Sequence, residues 1–249
     1  MADEATPRSE KTGVWRFLAG IVIPILLLLG RYEIVGSGRI PRTGPFILAP
    51  NHVTNFDPLV SAYVLWRADR VPRFLAKASL FKVPVLGWAL RVTGQIPVER
   101  AGGQRAGDPI SAASRLVDDG YAMIIYPEGT LTRDPDEWPM RGKFGAVRLA
   151  LEHDIEIIPV GIWGAQEILP RYSKRLSLFP RKDVRVLIGE PISLAAWKDA
   201  PRSTATYAAA TNTVMQAITA LVSKLRDEPA PEVRWDPAQH GQTEFGKLD

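Results

Sequence analysis

From residue 32 to residue 222, short apolar runs alternate with stretches whose apolar positions recur every three or four residues. That alternation predicts an α/β domain with a mixed, largely parallel central sheet flanked by helices. Strands are expected over residues 32–35, 46–49, 73–76, 95–98, 122–126, 156–161 and 184–188. The run 122–126, between Gly120 and Pro127, is apolar on both faces and is expected to be a central, buried strand. Helix 110–119 is announced by Asp108 as cap, Pro109 at the first helical position and Gly120 at its end. Further helices are expected from Asp57-Pro58 to about residue 66, over 143–152, and over 203–226. The last carries Ala209, Val214, Ile218, Leu221 and Leu225 near helical spacing and is expected to close the domain. The pattern thus divides the chain into an N-terminal segment (1–31), the α/β domain (32–227) and a tail (228–249) rich in proline and acid near its start, where no structure is expected.

The N-terminal segment changes the picture most. Its apolar stretch, Phe17 to Leu29, is shorter than the roughly 20 residues a spanning helix needs, and Pro24 interrupts it. Three readings compete: a signal peptide, a buried core helix, and a helix lying in the membrane interface or dipping into one leaflet. Gly30-Arg31-Tyr32-Glu33 does not resemble a cleavage site, and a helix apolar all round needs cover on every side. Trp15, Lys11 and Arg31 match interfacial anchors, so membrane association is expected.

Composition narrows the chemistry. With 249 residues, a formal charge of +4 and no cysteine, the chain excludes disulfides, thiolate metal sites and a cysteine nucleophile. His52, His153 and His240 lack ligand spacing, so no metal site is expected. The basic residues are scattered and form no nucleic-acid reading module; an anionic lipid surface is the better partner.

Two stretches could carry catalysis. Asn51-His52-Val53-Thr54-Asn55-Phe56-Asp57 lies between a strand end and a helix start, where α/β proteins place their sites. There the Asp57 carboxylate can hold one ring nitrogen of His52 and leave the other as a general base, with its second oxygen left to cap the helix. Tyr126-Pro127-Glu128-Gly129-Thr130-Leu131-Thr132-Arg133 follows a strand and offers a glycine turn, hydroxyls and a forked cation, a set that can hold phosphate. An ordinary helix cap, a surface histidine and a plain turn are the alternatives to these two readings. Arg100, in Gly94-Gln95-Ile96-Pro97-Val98-Glu99-Arg100, reads as a phosphate ligand or as half of a surface ion pair with Glu99, the commoner case, and Lys77 invites the same two readings.

Together with Ile157-Ile158-Pro159-Val160-Gly161, these stretches resemble, in order, the motifs of the glycerolipid acyltransferase family, best known for the lysophosphatidic acid acyltransferases. The resemblance covers roughly residues 32–190. It implies that His52 activates an acceptor hydroxyl for direct attack on a thioester, that Asp57 orients the imidazole, and that no acyl-enzyme forms. It also implies that Arg100, Glu128, Gly129 and Thr130 position a phosphorylated acceptor, with Lys77 and Arg133 added on charge grounds and Lys143 ranked below them. Thr54 stands where the family has serine, Leu131 where it often has arginine, and Glu99 where Asp or Asn is commoner.

The expected reaction is transfer of a fatty acyl group from acyl-CoA or acyl carrier protein, as co-substrate, to lysophosphatidic acid. No other cofactor is expected. The same chemistry on glycerol 3-phosphate, a glycolipid or another lysolipid is the alternative, because Leu131 alters the phosphate-binding motif. The expected location is the cytoplasmic face of the cytoplasmic membrane. Residues 171–182 mix cations with apolar side chains, as suits an anionic surface or a solvated loop. The apolar run 83–90 reads as core packing or an acyl groove, with core packing preferred.

Overall fold

The computed structural model describes residues 10–98 and 109–243. Helix α1 (Gly13–Leu29) runs straight into β1 (Gly30–Val35). Then follow β2 (Phe46–Pro50), α2 (Asp57–Arg67), β3 (Leu75–Lys77), α3 (Pro84–Val92), β4 (Ile96–Val98), α4 (Pro109–Asp118) and β5 (Ala122–Ile124). The chain continues through α5 (Gly145–His153), β6 (Ile157–Trp163), a single turn α6 (Ala165–Ile168), β7 (Lys182–Ile188) and α7 (Thr204–Arg226). All seven expected strands form. The cap assigned to Asp108 lies outside the described residues, as do Glu99 and Arg100.

Five strands make the main sheet in the order β1-β7-β6-β2-β5, and β3 pairs with β4 in a smaller one. All pairings are parallel except β6 with β7. The expected mixed, largely parallel sheet is therefore present, with one correction. β5 sits at the edge of the five-stranded sheet rather than its centre, and β6 is the middle strand. β5 is nevertheless fully buried, because a parallel bridge from Phe74 to Ile124 continues the main sheet toward the smaller one.

Period-two alternation along β2 sends Phe46 and Leu48 to one core and Ile47 and Ala49 to the other. The first core holds Leu26 and Leu29 of α1 and Val60, Tyr63, Val64 and Leu65 of α2; the second holds α4, α5 and α7 residues such as Val117, Val147 and Val214. Helices thus cover both faces, which parallel strands require. α7 comes close to β6 because Gly161 has no side chain: a Cβ there would lie 2.9 Å from Cβ of Leu221. Ser203 caps α7, its hydroxyl accepting from the amide of Thr206.

Three other expectations are corrected. α1 continues through Pro24 instead of breaking there, and buries only Leu26 and Leu29; the residue four positions earlier, whose carbonyl a proline ring crowds, is the permissive Gly20. Residues 83–90 do not pack in the core. They form α3 and the turn before it, and Val85, Trp88 and Val92 point outward, Val85 at 79% exposure. The tail is ordered as far as residue 243, with a short turn at Pro237–His240, Pro237 buried, and Trp235 accepting from the amide of Arg141.

Candidate active site

Strands β2 and β5 run parallel with Leu48 opposite Ile124, so the residues four positions further on, His52 and Glu128, leave the sheet at the same end. That end is where the carboxyl termini of parallel strands leave room for a site. The two loops are stitched together there. The amide of His52 donates to Oε1 of Glu128 (2.8 Å), the amide of Met140 donates to Oε2 (3.1 Å), and the amide of Thr132 donates to the carbonyl of His52 (2.7 Å). Asn51 ties the loop to β6, giving one bond to the carbonyl of Ile162 (3.0 Å) and receiving one from its amide (2.7 Å).

Within this frame His52 and Asp57 meet as expected, 3.1 Å apart from Nδ1 to Oδ2. The same Oδ2 accepts the amides of Val53 (2.7 Å) and Thr54 (2.8 Å). An oxygen receiving two N–H groups acts as an acceptor toward the third, so Nδ1 carries the hydrogen and Nε2 keeps its lone pair. One oxygen does all three tasks, and the amides it holds belong to the turn before α2; the expected split, with the second oxygen capping the helix, is not what forms. The Thr54 hydroxyl donates to the carbonyl of Leu169 and accepts the amide of Phe56. The hydroxyl that replaces the family's serine therefore fixes the loop.

Tyr126 lies against the imidazole, ring centres 4.1 Å apart and planes 28° from parallel, and its hydroxyl is 2.9 Å from that of Ser61. Burial pushes its phenol well above the ordinary value and keeps it neutral. Burial also raises the carboxyl of Glu128, to about 8, against the opposing pull of the two amides it accepts.

His52 opens into a cleft of about 300 Å³ whose wall includes Leu75, Val98, Ile125 and Ala146. Gly129 and Lys143 complete it. Gly129 is left-handed (φ 72°), and a Cβ there would lie 3.0 Å from Cδ of Lys143. Lys143, ranked lowest from sequence, is thus a cation of the cleft. Glu128 is fully buried and Arg133 is 1% exposed; neither lines the cleft, and Lys77 is exposed at the end of β3. Thr130 is buried and borders a small neighbouring cavity with Glu128 and Lys143. Arg171 was not foreseen. Its guanidinium donates to the carbonyls of Thr132 (2.9 Å) and Asp134 (2.6 Å) and so fastens the loop after β5.

A base held by a carboxylate at the mouth of an apolar cleft agrees with what comparison with known proteins finds. The model of the family described as "Acyltransferase" matches residues 31–163, just over half of the chain. The chain belongs to the acyltransferase family. The glycerolipid acyltransferase resemblance read from its motifs is borne out. It is 29% identical over 161 residues to the 1-acyl-sn-glycerol-3-phosphate acyltransferase BAT2, chloroplastic, of Brassica napus, covering 64% of this chain and 44% of that protein. It is 30% identical over 177 residues to the 1-acyl-sn-glycerol-3-phosphate acyltransferase alpha of Mus musculus, covering 67% of this chain and 59% of that protein. The matched region thus spans less than two thirds of either relative. The fold is shared with the crystal structure of the 1-acyl-sn-glycerophosphate acyltransferase PlsC of Thermotoga maritima (TM-score 0.61, 21% identity, 85% of this chain and 82% of that one).

Proposed function

We propose that this acyltransferase moves a fatty acyl group from a thioester donor, acyl-CoA or acyl carrier protein, to the free hydroxyl of lysophosphatidic acid, giving phosphatidic acid for glycerophospholipid synthesis. The observation that carries the reading is the His52–Asp57 pair opening into an apolar cleft with one ammonium group. Nε2 of His52 takes the hydroxyl proton as the oxygen attacks the thioester carbonyl. The C–O bond forms, the C–S bond breaks, and the departing thiolate recovers the proton from the imidazolium. Asp57 stabilises that imidazolium, Lys143 faces the acceptor phosphate, and the apolar wall limits hydrolysis of the donor.

The test is release of free thiol from palmitoyl-CoA, with and without lysophosphatidic acid, by wild type and His52→Ala. Acceptor-dependent release lost in the variant is the expected result. Acceptor-independent release makes the protein a thioesterase and refutes the proposal. A second acceptor is favoured by one observation: with Leu131 and Arg133 both buried outside the cleft, the phosphate-binding motif supplies it no arginine among the described residues. A series of lysophosphatidic acid, glycerol 3-phosphate and phosphate-free lysolipids decides between them.

We further infer that the protein works on the cytoplasmic face of the membrane. No helix among the described residues is long and apolar enough to cross a bilayer. However, Phe17, Ile21, Ile25 and Leu28 form one exposed stripe of α1, and Val85, Trp88 and Val92 form another on α3. A groove of about 220 Å³ lies between α1, α2 and α3, lined by Leu18, Val22, Leu59, Phe74, Ala89 and Leu90 among others. Exposed stripes of this kind suit a lipid interface. Unchanged binding to anionic vesicles after deletion of residues 1–30 would refute the role given to α1.

A further inference from the structure

A second cavity, of about 510 Å³, opens beside the catalytic cleft between the segment 141–144, α7 and the tail. Lys143 is the one described residue that lines both. Arg141, Lys143 and Arg234 bring three cations to its wall, and among the described residues no carboxylate lines it. Arg141 is paired to Asp236 at 3.5 Å. Arg234 is different: one guanidinium nitrogen donates to Oδ1 of Asn212 (2.9 Å), while its Nε is buried with no hydrogen-bond partner. The hydroxyl of Thr211, 4% exposed on the same wall, is likewise buried without a partner. Two unsatisfied buried polar groups beside a cluster of cations are costly in an empty cavity. Neither atom reaches the cavity surface as it stands, and a rotation of each side chain would turn it onto an anion with several oxygens seated among the three cations.

We propose that this cavity is a phosphate-binding site for the thioester donor, seating the phosphates of its coenzyme A nucleotide. This rests on the acyl-transfer reading, and chemistry chooses the donor over the acceptor. In lysophosphatidic acid a three-carbon glycerol unit joins phosphate to reacting hydroxyl, so that phosphate stays in the cleft with His52 and Lys143. In coenzyme A the whole pantetheine arm separates the thioester from the phosphates, which therefore come to rest in a neighbouring cavity. That cavity is also larger than the cleft, about 510 against about 300 Å³, as a nucleotide diphosphate requires.

The experiment is calorimetric binding of coenzyme A and, separately, of glycerol 3-phosphate to the full-length protein in detergent. Wild type is compared with Arg234→Gln, Thr211→Val and Asn212→Asp. Asn212 is exposed on α7, so its substitution leaves the core intact while placing a carboxylate against Arg234. Arg234→Gln and Asn212→Asp are expected to weaken coenzyme A at least tenfold, and Thr211→Val by a few fold. All three leave glycerol 3-phosphate unchanged. In steady state the KM for palmitoyl-CoA rises with kcat within twofold. Unchanged coenzyme A affinity in Arg234→Gln and Asn212→Asp overturns the site, and a loss confined to glycerol 3-phosphate assigns the cavity to the acceptor and overturns it equally. Should no acyl transfer be found while coenzyme A binding still depends on Arg234, the proposed reaction fails and the site stands.

Discussion

Asp57→Asn isolates charge from geometry at the centre of the site. Three N–H donors converge on one oxygen of Asp57, from His52, Val53 and Thr54. An asparagine must turn its carbonyl oxygen to that position, since its NH2 group would face three other donors. The turn and the imidazole tautomer are therefore kept, and what is lost is the negative charge 3.1 Å from Nδ1. Coulomb attraction to a full imidazolium at that separation and an effective dielectric constant of about 20 is about 5 kcal/mol. A transition state with half the proton transferred feels about half of it and one with the proton fully transferred feels all of it, so kcat is expected to fall by roughly 10²- to 10⁴-fold. Neutral bonds in place of charge-assisted ones cost about 1–3 kcal/mol of stability, visible as a modest drop in melting temperature. Thiol release with saturating lysophosphatidic acid measures kcat, and thermal melting followed by circular dichroism shows that the fold persists. A kcat within threefold of wild type would refute His52 as a base held by Asp57.

Other substitutions probe the frame. Because the folded state raises Glu128 to about 8 from an ordinary 4.5, it binds that proton more tightly than the unfolded chain does. Its contribution to stability is thus full below about pH 4.5 and is lost as pH climbs through 8; Glu128→Gln should flatten this fall in urea melts, at a uniform cost of about 1–3 kcal/mol for the amide it cannot accept. Gly129→Ala places a side chain at φ 72° against Lys143 and should cost about 1–2 kcal/mol while raising the acceptor KM. Arg171→Ala removes the donor to two carbonyls of the loop after β5 and should lower stability by about 2 kcal/mol, with a loss of kcat but little change in donor KM. Phe17→Ser with Ile21→Ser should weaken binding to anionic vesicles more than tenfold, since each apolar side chain withdrawn from water is worth about 1.5–3 kcal/mol; equal flotation with wild type would count against the interfacial stripe.

Most of the fold was legible because strands and amphipathic helices write their period into the chain. The errors share a cause: hydrophobicity reports that a residue wants cover without saying what covers it. The run 122–126 looked central because both its faces are apolar, yet β5 gains its cover from helices and from the bridge at Phe74. The run 83–90 looked internal for the same reason, and instead its helix turns Val85 and Trp88 outward. His52 and Asp57 could be paired in advance because a five-residue separation limits where they can go. Arg171 could not, since nothing local marks an arginine that meets carbonyls 37 and 39 residues away. Sequence could not order Arg133 and Lys143, because a charge in a motif says nothing of direction: one is sealed inside, while the other lines the cleft from the segment just before α5.

The acid of the loop after β5 shows how the frame and the chemistry depend on each other. Glu128 was expected beside the acceptor, but both its oxygens are taken by the amides of His52 and Met140, and it is fully buried. In the proposed reaction it acts through the backbone of His52, as a positioning residue. β2 and β5 bring the two loops to one end of the sheet, and Glu128 converts that rough proximity into a fixed height for the imidazole above the cleft. The cost is a carboxyl held in a site that disfavours its charge. With Glu128 committed to the backbone, the proposed recognition of an acidic acceptor falls to Lys143, which lines the cleft against a glycine whose missing Cβ leaves room for the lysine stem. An isosteric Lys143→Met should therefore raise the acceptor KM at least tenfold without altering the melting temperature by more than a few degrees, whereas Glu128→Ala should lower both stability and kcat. Reversal of those two phenotypes would return the acceptor-binding role to Glu128.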